Sequence, residues 1–395
     1  MAWCRVLLLG LTGVLSGACS GGSDADTTSA GREPSATAPA TTGTVTSRSI
    51  AGGPASAVPS STLPNTTIVP TAPTVTTTGA PASATTTAVA GTPLPASDLE
   101  LLAFPVPAGS RPHDVAPAAD GGVWYTAQGS GELGWLDPAT GATHHIPLGP
   151  GSRPHGVIVG ADGTPWITDG GLNAIVAVDP GTEVVTSYPL PDDRPDANLN
   201  TATFDGRGRL WFTGQNGIYG VLDPASSAME VFDAPGGEGP YGIATTPDGT
   251  VYYASLAGSH VGRIDDAGGV TILEPPTQGQ GARRVWSDSK GAVWVSEWSS
   301  GQLSRYDPVT DAWSAWMLPG DDPQPYAVFV DQLDSVWVSD FGANALVRFD
   351  PATEAFDVFP LPSSPGDVRQ ILGRPGEVWG AESAADQLVV IRPAG

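Results

Sequence analysis

A repeat of about 42 residues, running through residues 98–395, limits what this chain can fold into. An aromatic residue recurs at Trp124, Trp166, Trp211, Tyr252, Trp294, Trp337 and Trp379, at intervals of 42, 45, 41, 42, 43 and 42. An aspartate recurs at Asp137, Asp179, Asp223, Asp265, Asp307 and Asp350, usually followed by proline, and the seventh copy carries Arg392-Pro393 instead. A period of this length is that of a four-stranded propeller blade. Asp120-Gly121, Asp162-Gly163 and Asp248-Gly249 read as tight hairpin turns, because glycine permits the positive φ that a right-twisted hairpin requires. The Asp-Pro pairs open a second turn, as in Asp350-Pro351-Ala352-Thr353, where proline presets φ and the carboxylate can accept from the following amides. The expected fold class is all-β, a seven-bladed β-propeller of four-stranded blades.

The ends of the repeat predict how such a ring closes. The last copy stops at Val389-Val390-Ile391, one strand short. Phe104-Pro105-Val106-Pro107 resembles Phe359-Pro360-Leu361-Pro362 and Tyr188-Pro189-Leu190-Pro191, the outer strands of other blades. The N-terminal segment of the domain is therefore expected to complete the C-terminal blade and leave no open edge.

The residues before the repeat are of a different kind. Residues 1–18 read as a signal peptide, with Arg5 ahead of an apolar run from Val6 to near Ser16. That run falls short of the roughly 20 residues a bilayer requires. Leu15-Ser16-Gly17-Ala18-Cys19 resembles a bacterial lipobox with its leucine one place too far upstream. This predicts acylation of Cys19, ordinary secretory cleavage being the alternative. Residues 19–97 are almost entirely Ala, Thr, Ser, Pro, Gly and Val, and are expected to form a disordered stalk. The domains are thus 1–18, 19–97 and 98–395, and the expected location is extracytoplasmic, anchored to the cell membrane by lipid or else secreted. The two cysteines, Cys4 and Cys19, leave the propeller no disulfide. A net charge of -24 excludes a nucleic-acid partner, since no basic surface remains to release counterions.

Eleven positions before each repeated aromatic comes a polar or aromatic residue: His113, His155, Asn200, Tyr241, Arg283 and Tyr326, the seventh falling within Asp367 to Arg369. Three positions after each aromatic come Ala127, Asp169, Gly214, Ser255, Glu297, Asp340 and Glu382. A regular hairpin centred on Asp120-Gly121 places His113 beside Ala127 and Gln128, and by the same arithmetic His155 beside Asp169 and Arg283 beside Glu297. Because the first strand of each propeller blade lines the axis, these residues are expected to ring the mouth of the channel. Repeats also generate polar rings by themselves, and an Arg283–Glu297 pair serves equally well as a structural salt bridge. For a single residue the structural reading weighs more. For the face as a whole the binding reading does, because the identities change from blade to blade. His144, His145 and His260 are expected at the surface.

Arg153-Pro154-His155-Gly156 followed by Trp166-Ile167-Thr168-Asp169, and Trp294-Val295-Ser296-Glu297-Trp298 followed by Gly301-Gln302-Leu303, resemble the virginiamycin B (streptogramin B) lyase family over about 98–395. The resemblance implies a seven-bladed propeller. It also implies an enzyme that linearises a cyclic depsipeptide by elimination across its ester, using a histidine base and Mg²⁺ held by glutamates. In blade five Glu297-Trp298 matches the end of the family's catalytic pattern. Arg283 stands where the catalytic histidine would be and Gly281 where a second glutamate would be. His155 keeps an acid–histidine pairing with Asp169 in another blade, and His113 is a further candidate base without an acidic partner of its own.

Two readings follow. One is a lyase-like enzyme with His155 or His113 as base, Glu297 in support, and Mg²⁺ held by some of Asp169, Glu297, Asp340 and Glu382, a face where four carboxylates would repel one another without a cation. The other is a monomeric binding propeller in which Asn200, Tyr241, Arg283 and Tyr326 contact a small molecule, a peptide or a cell-envelope component. The degraded catalytic blade and the stalk favour the second, and the motifs kept in blades two and five favour the first.

Overall fold

The computed structural model of the protein describes residues 91–237 and 239–395. The expected signal peptide, Cys19 and most of the expected stalk lie outside the described residues. Of the stalk's last residues, Leu94 presents its carbonyl to the Arg348 guanidinium at 2.8 Å, and a 3-10 turn begins at Ala96.

From there the described residues form seven four-stranded antiparallel sheets. Six are simple meanders. In the first, Pro112–Pro117, Val123–Ala127, Glu132–Leu136 and Thr143–Pro147 pair in chain order. The turns form as the sequence predicts. Asp120 Oδ1 accepts from the Gly122 amide at 2.9 Å beside Gly121 at φ 95°. Asp350 accepts from the Ala352 amide and the Thr353 hydroxyl, both at 2.8 Å. First strands of neighbouring blades touch all the way round, last to first, so the sheets form a closed ring.

The seventh blade is completed from the other end of the domain. Strand Leu99–Pro105 pairs antiparallel with Gln387–Pro393, in a register running from Leu99 opposite Pro393 to Pro105 opposite Gln387. Phe104 packs on Trp379 with ring centroids 5.5 Å apart. Leu102, Phe104 and Val106 share one apolar cluster with Val115, Tyr125 and Leu136 of blade one and with Trp379, Leu388 and Val390 of blade seven. The closing strand therefore joins two blades as well as covering an edge.

The repeated aromatics are the buried pillars of the core. An acid upstream satisfies the indole N–H in four of them. Trp211, Trp294 and Trp337 donate to Asp205, Asp288 and Asp331 at 3.0, 3.1 and 2.9 Å, and Trp379 donates to Glu377 at 2.7 Å. Asp288 also accepts from the turn amides of Lys290 and Ala292. One carboxylate thus fixes a turn to the core and spares a buried donor from going unpaired.

Candidate functional site

Each first strand leaves regular pairing near its start. In blade one Pro112 lies opposite Ala127 but Val115 lies opposite Tyr125, so His113 and Asp114 together face the single residue Thr126. The same shift occurs in all seven sheets. Such a bulge bends the strand and re-aims its side chains. Here it directs two successive residues of one blade to the channel, as the contacts of Arg283 and Arg284 below demonstrate.

A hydroxyl two positions after the repeated aromatic holds each of several bulges. Thr126 Oγ1 accepts from the Asp114 amide at 2.9 Å and donates to the His155 carbonyl of the next blade at 2.8 Å. Ser296 does the same between the Arg284 amide, at 3.1 Å, and the Tyr326 carbonyl, at 2.7 Å. Thr168 and Thr213 reach the carbonyls of Asn200 and Tyr241. These buried bridges, each worth about 1 kcal/mol net, tie ring residues of one blade to the backbone of its neighbour.

Register assigns the ring as His113, His155, Asn200, Tyr241, Arg283, Tyr326 and Arg369. The first six are buried, so the ring lies within the channel rather than spread on an open face. Arg369 is the part-exposed member. One residue further on come Asp114, Gly156, Thr201, Gly242, Arg284, Ala327 and Gln370. This second layer alternates large and small, and a Cβ at Gly242 would meet Arg284 Cα at 2.6 Å. The small members leave room for Arg284 to cross to Thr201 Oγ1 at 3.0 Å and Asp114 at 3.6 Å.

The ring divides into two halves. On one side the His113 and His155 rings lie 3.8 Å apart. His113 Nδ1 is 2.7 Å from Asp114 Oδ1, and His155 Nε2 is 3.3 Å from the Asn200 amide. His113 thus has the acidic partner that sequence reading denied it, from the next residue in the chain. Burial, reinforced by the Arg369, Arg284 and Arg283 charges, holds the His113 pKa well below the usual imidazole value. Burial and then His113 itself act likewise on His155. Both are neutral near pH 7, and with Asp114 accepting at Nδ1 the basic lone pair of His113 is on Nε2.

The other half is cationic and aromatic. The Arg283 guanidinium lies 3.6 Å from the Tyr326 ring centroid, 4.4 Å from Trp298 and 4.8 Å from Tyr241, and donates to Tyr241 Oη at 3.2 Å. Tyr241 and Tyr326 hydrogen-bond through their hydroxyls. Half-buried Trp298 and Phe341 rim this side. Burial pushes the Tyr326 phenol up, but Arg283, Arg369 and Arg284 together outweigh it and bring it down to about 8.

Several expectations are corrected by the bulge, which shifts each pairing by one residue. Asp169, Glu297, Asp340 and Glu382 lie opposite Pro154, Ala282, Pro325 and Val368, the residues before the ring members. Asp169 accepts from the Ser152 hydroxyl and the Arg153, Gly171 and Leu172 amides, not from His155. Asp340 accepts from the Gln324 and Gly342 amides, Glu297 from the Ser300 hydroxyl, and Glu382 from Gln387. Arg283 pairs with aromatics rather than Glu297. These four carboxylates cap loops of their own blades, and no three of them come within common ligand reach. His144 is exposed as expected, and His145 is half-buried between Tyr125 and Glu132. His260 is buried against Tyr253, because it opens a third strand opposite Ser255 rather than preceding it at the surface.

The trio that does meet with ligand geometry, among the described residues, is His113, Asp114 and His155. It offers one carboxylate and two nitrogens, next to three guanidiniums. A hard cation such as Mg²⁺ requires a near-complete oxygen shell, so this donor set does not fit it.

Residues 149–395 match the sequence profile of the virginiamycin B lyase family. No curated protein matches the chain significantly. Among solved structures, a streptogramin B lyase is 23% identical with a TM-score of 0.69, covering 75% of this chain and 99% of its own. Virginiamycin B lyase from Staphylococcus aureus, solved in a catalytically inactive histidine-to-alanine form with quinupristin, is 19% identical at the same TM-score, covering 75% of this chain and all of its own. The extracellular domain of a putative one-component system from B. thetaiotaomicron is 17% identical with a TM-score of 0.58, covering 71% of this chain and 40% of its own. At these identities the likeness is one of fold.

Proposed function

The chain belongs to the virginiamycin B lyase family, and from that premise we propose that it is an extracytoplasmic binding propeller that takes up a small molecule or peptide at its channel mouth, without opening streptogramins by the family's histidine-and-magnesium route. One observation carries this reading. Arg283, at the position where the resemblance puts the base, is fixed among Tyr326, Trp298 and Tyr241. A guanidinium so held stays protonated and cannot accept a proton from carbon. The half-buried aromatic rim and the neighbouring arginines are recognition chemistry instead. Incubation with a type B streptogramin and Mg²⁺, followed by mass spectrometry, tests the proposal. The expected result is intact cyclic antibiotic. Efficient formation of a ring-opened isomer of unchanged mass overturns it.

The 2.7 Å contact of His113 with Asp114 favours a second reading. In that reading His113 Nε2 takes a proton from carbon, the electron pair forms a carbon–carbon double bond, and the ester C–O bond breaks to leave a carboxylate. Asp114 holds the tautomer and stabilises the imidazolium. Loss of any ring opening in His113→Gln, with Arg283→Gln still active, would establish it.

Tethering belongs to the same proposal. With Cys19 acylated, the protein should partition with membranes, and Cys19→Ala should be released to the medium. Intact mass spectrometry showing no acyl chain on the wild-type protein contradicts the anchor.

A further inference from the structure

Three guanidiniums, those of Arg283, Arg284 and Arg369, converge on the Tyr326 ring in the channel, and Asp114 approaches one of them, Arg284, at 3.6 Å. This cationic centre stands in a chain whose net charge is -24. We propose that the arginine half of the ring is a seat for an oxyanion, a carboxylate or phosphate group, carried by the ligand. The inference rests on the binding reading above and adds the chemistry that would be recognised.

The bookkeeping of charge is the first support. His113 and His155 are kept neutral by burial, so they add no positive charge, and Asp114, whose carboxyl pKa burial pushes up, offsets at most one of the three arginines. A surplus of positive charge in a buried channel is costly unless a partner neutralises it. Tyr326 supplies that partner only once it ionises, and below about pH 8 it does not.

Unused donors are the second. Arg283 and Arg284 are each 4% exposed, and Nε of both has no hydrogen-bond partner. Arg283 spends its face on aromatic rings and its terminal N–H groups on the Tyr241 and Tyr326 hydroxyls, which holds its plane and leaves Nε as the unpaired donor. Planar forks of this kind match the two oxygens of a carboxylate or phosphate better than a spherical halide.

Space sets the direction of entry. The axial cavity lined by Thr201, Arg284 and Gln370 is narrow, with room for about one water. An organic ligand cannot pass there. Its anionic group must arrive from the rim, where Arg369 is part-exposed and braced by Ser383 Oγ at 3.0 Å.

Calorimetry on the full chain in chloride-free buffer, with inorganic phosphate in one arm and acetate in the other, tests the seat. The expected result is saturable binding of at least one anion, the tighter arm identifying the oxyanion. Arg369→Gln should weaken it about tenfold, and Asp114→Asn, which removes the opposing charge, should tighten it. The two variants move affinity in opposite directions, so a simple folding defect cannot mimic the pattern. Absence of binding in both arms, or affinities unchanged in both variants, overturns the seat. The streptogramin assay is read separately. Anion binding together with ring opening keeps the seat and rejects the binding-only function.

Discussion

Tyr326 shows how far a single residue here departs from its ordinary chemistry. Its phenol is fully buried, yet Arg283, Arg369 and Arg284 bring it down to about 8, while burial pushes Tyr125, Tyr253 and Tyr306 upward. A phenolate absorbance titration should therefore reveal one group ionising near pH 8, absent in Tyr326→Phe. A phenol depressed in the folded state and ordinary when unfolded adds stability as pH rises from about 8 toward the usual tyrosine range, and that increment is lost as pH falls back. If wild type and Tyr326→Phe titrate alike, the arginines do not act on this ring. At this scale the sequence was partly legible. Six ring members stand at a fixed distance from the repeated aromatic. Arg369 is not singled out by the spacing because it stands ten rather than eleven positions before Trp379, where Val368 takes the expected place. Asp114 and Arg284 were missed because strict strand alternation points the next residue away from the channel, and only a bulge brings it back.

Among elements, the bulged first strand and the closing strand decide the architecture. A period-two pattern carries no mark of a bulge, so hairpin arithmetic paired His155 with Asp169 and Arg283 with Glu297 one place out of register. A usable signal existed in the hydroxyls of Thr126, Thr168, Thr213, Ser296 and Ser339, two positions after the aromatic. The closing strand was legible because Phe104-Pro105 copies the ends of other outer strands. Its seven residues pair along their whole length, and Phe104 covers Trp379. A chain beginning at Gly109 should melt well below one beginning at Ala96. Loss of Phe104 contacts alone costs on the order of 3 kcal/mol, and an open edge adds aggregation. Equal melting temperatures would mean that the ring closes without this strand.

For the whole molecule, seven copies of one blade place seven different side chains around one axis, and function follows from what each blade contributes there. The fold was readable from spacing alone. The chemistry was not, since it depends on which side chains share the channel and which are used by their own loops. Asp169, Glu297, Asp340 and Glu382 looked like a metal ring in sequence but cap loops in the fold. An arginine cluster fills the channel where the family resemblance implies a histidine base beside a glutamate-held magnesium. Titration calorimetry of the wild-type protein with Mg²⁺, repeated on Glu297→Gln, tests it most directly. No saturable Mg²⁺ binding is expected in either protein. Stoichiometric binding to wild type that Glu297→Gln abolishes would contradict it.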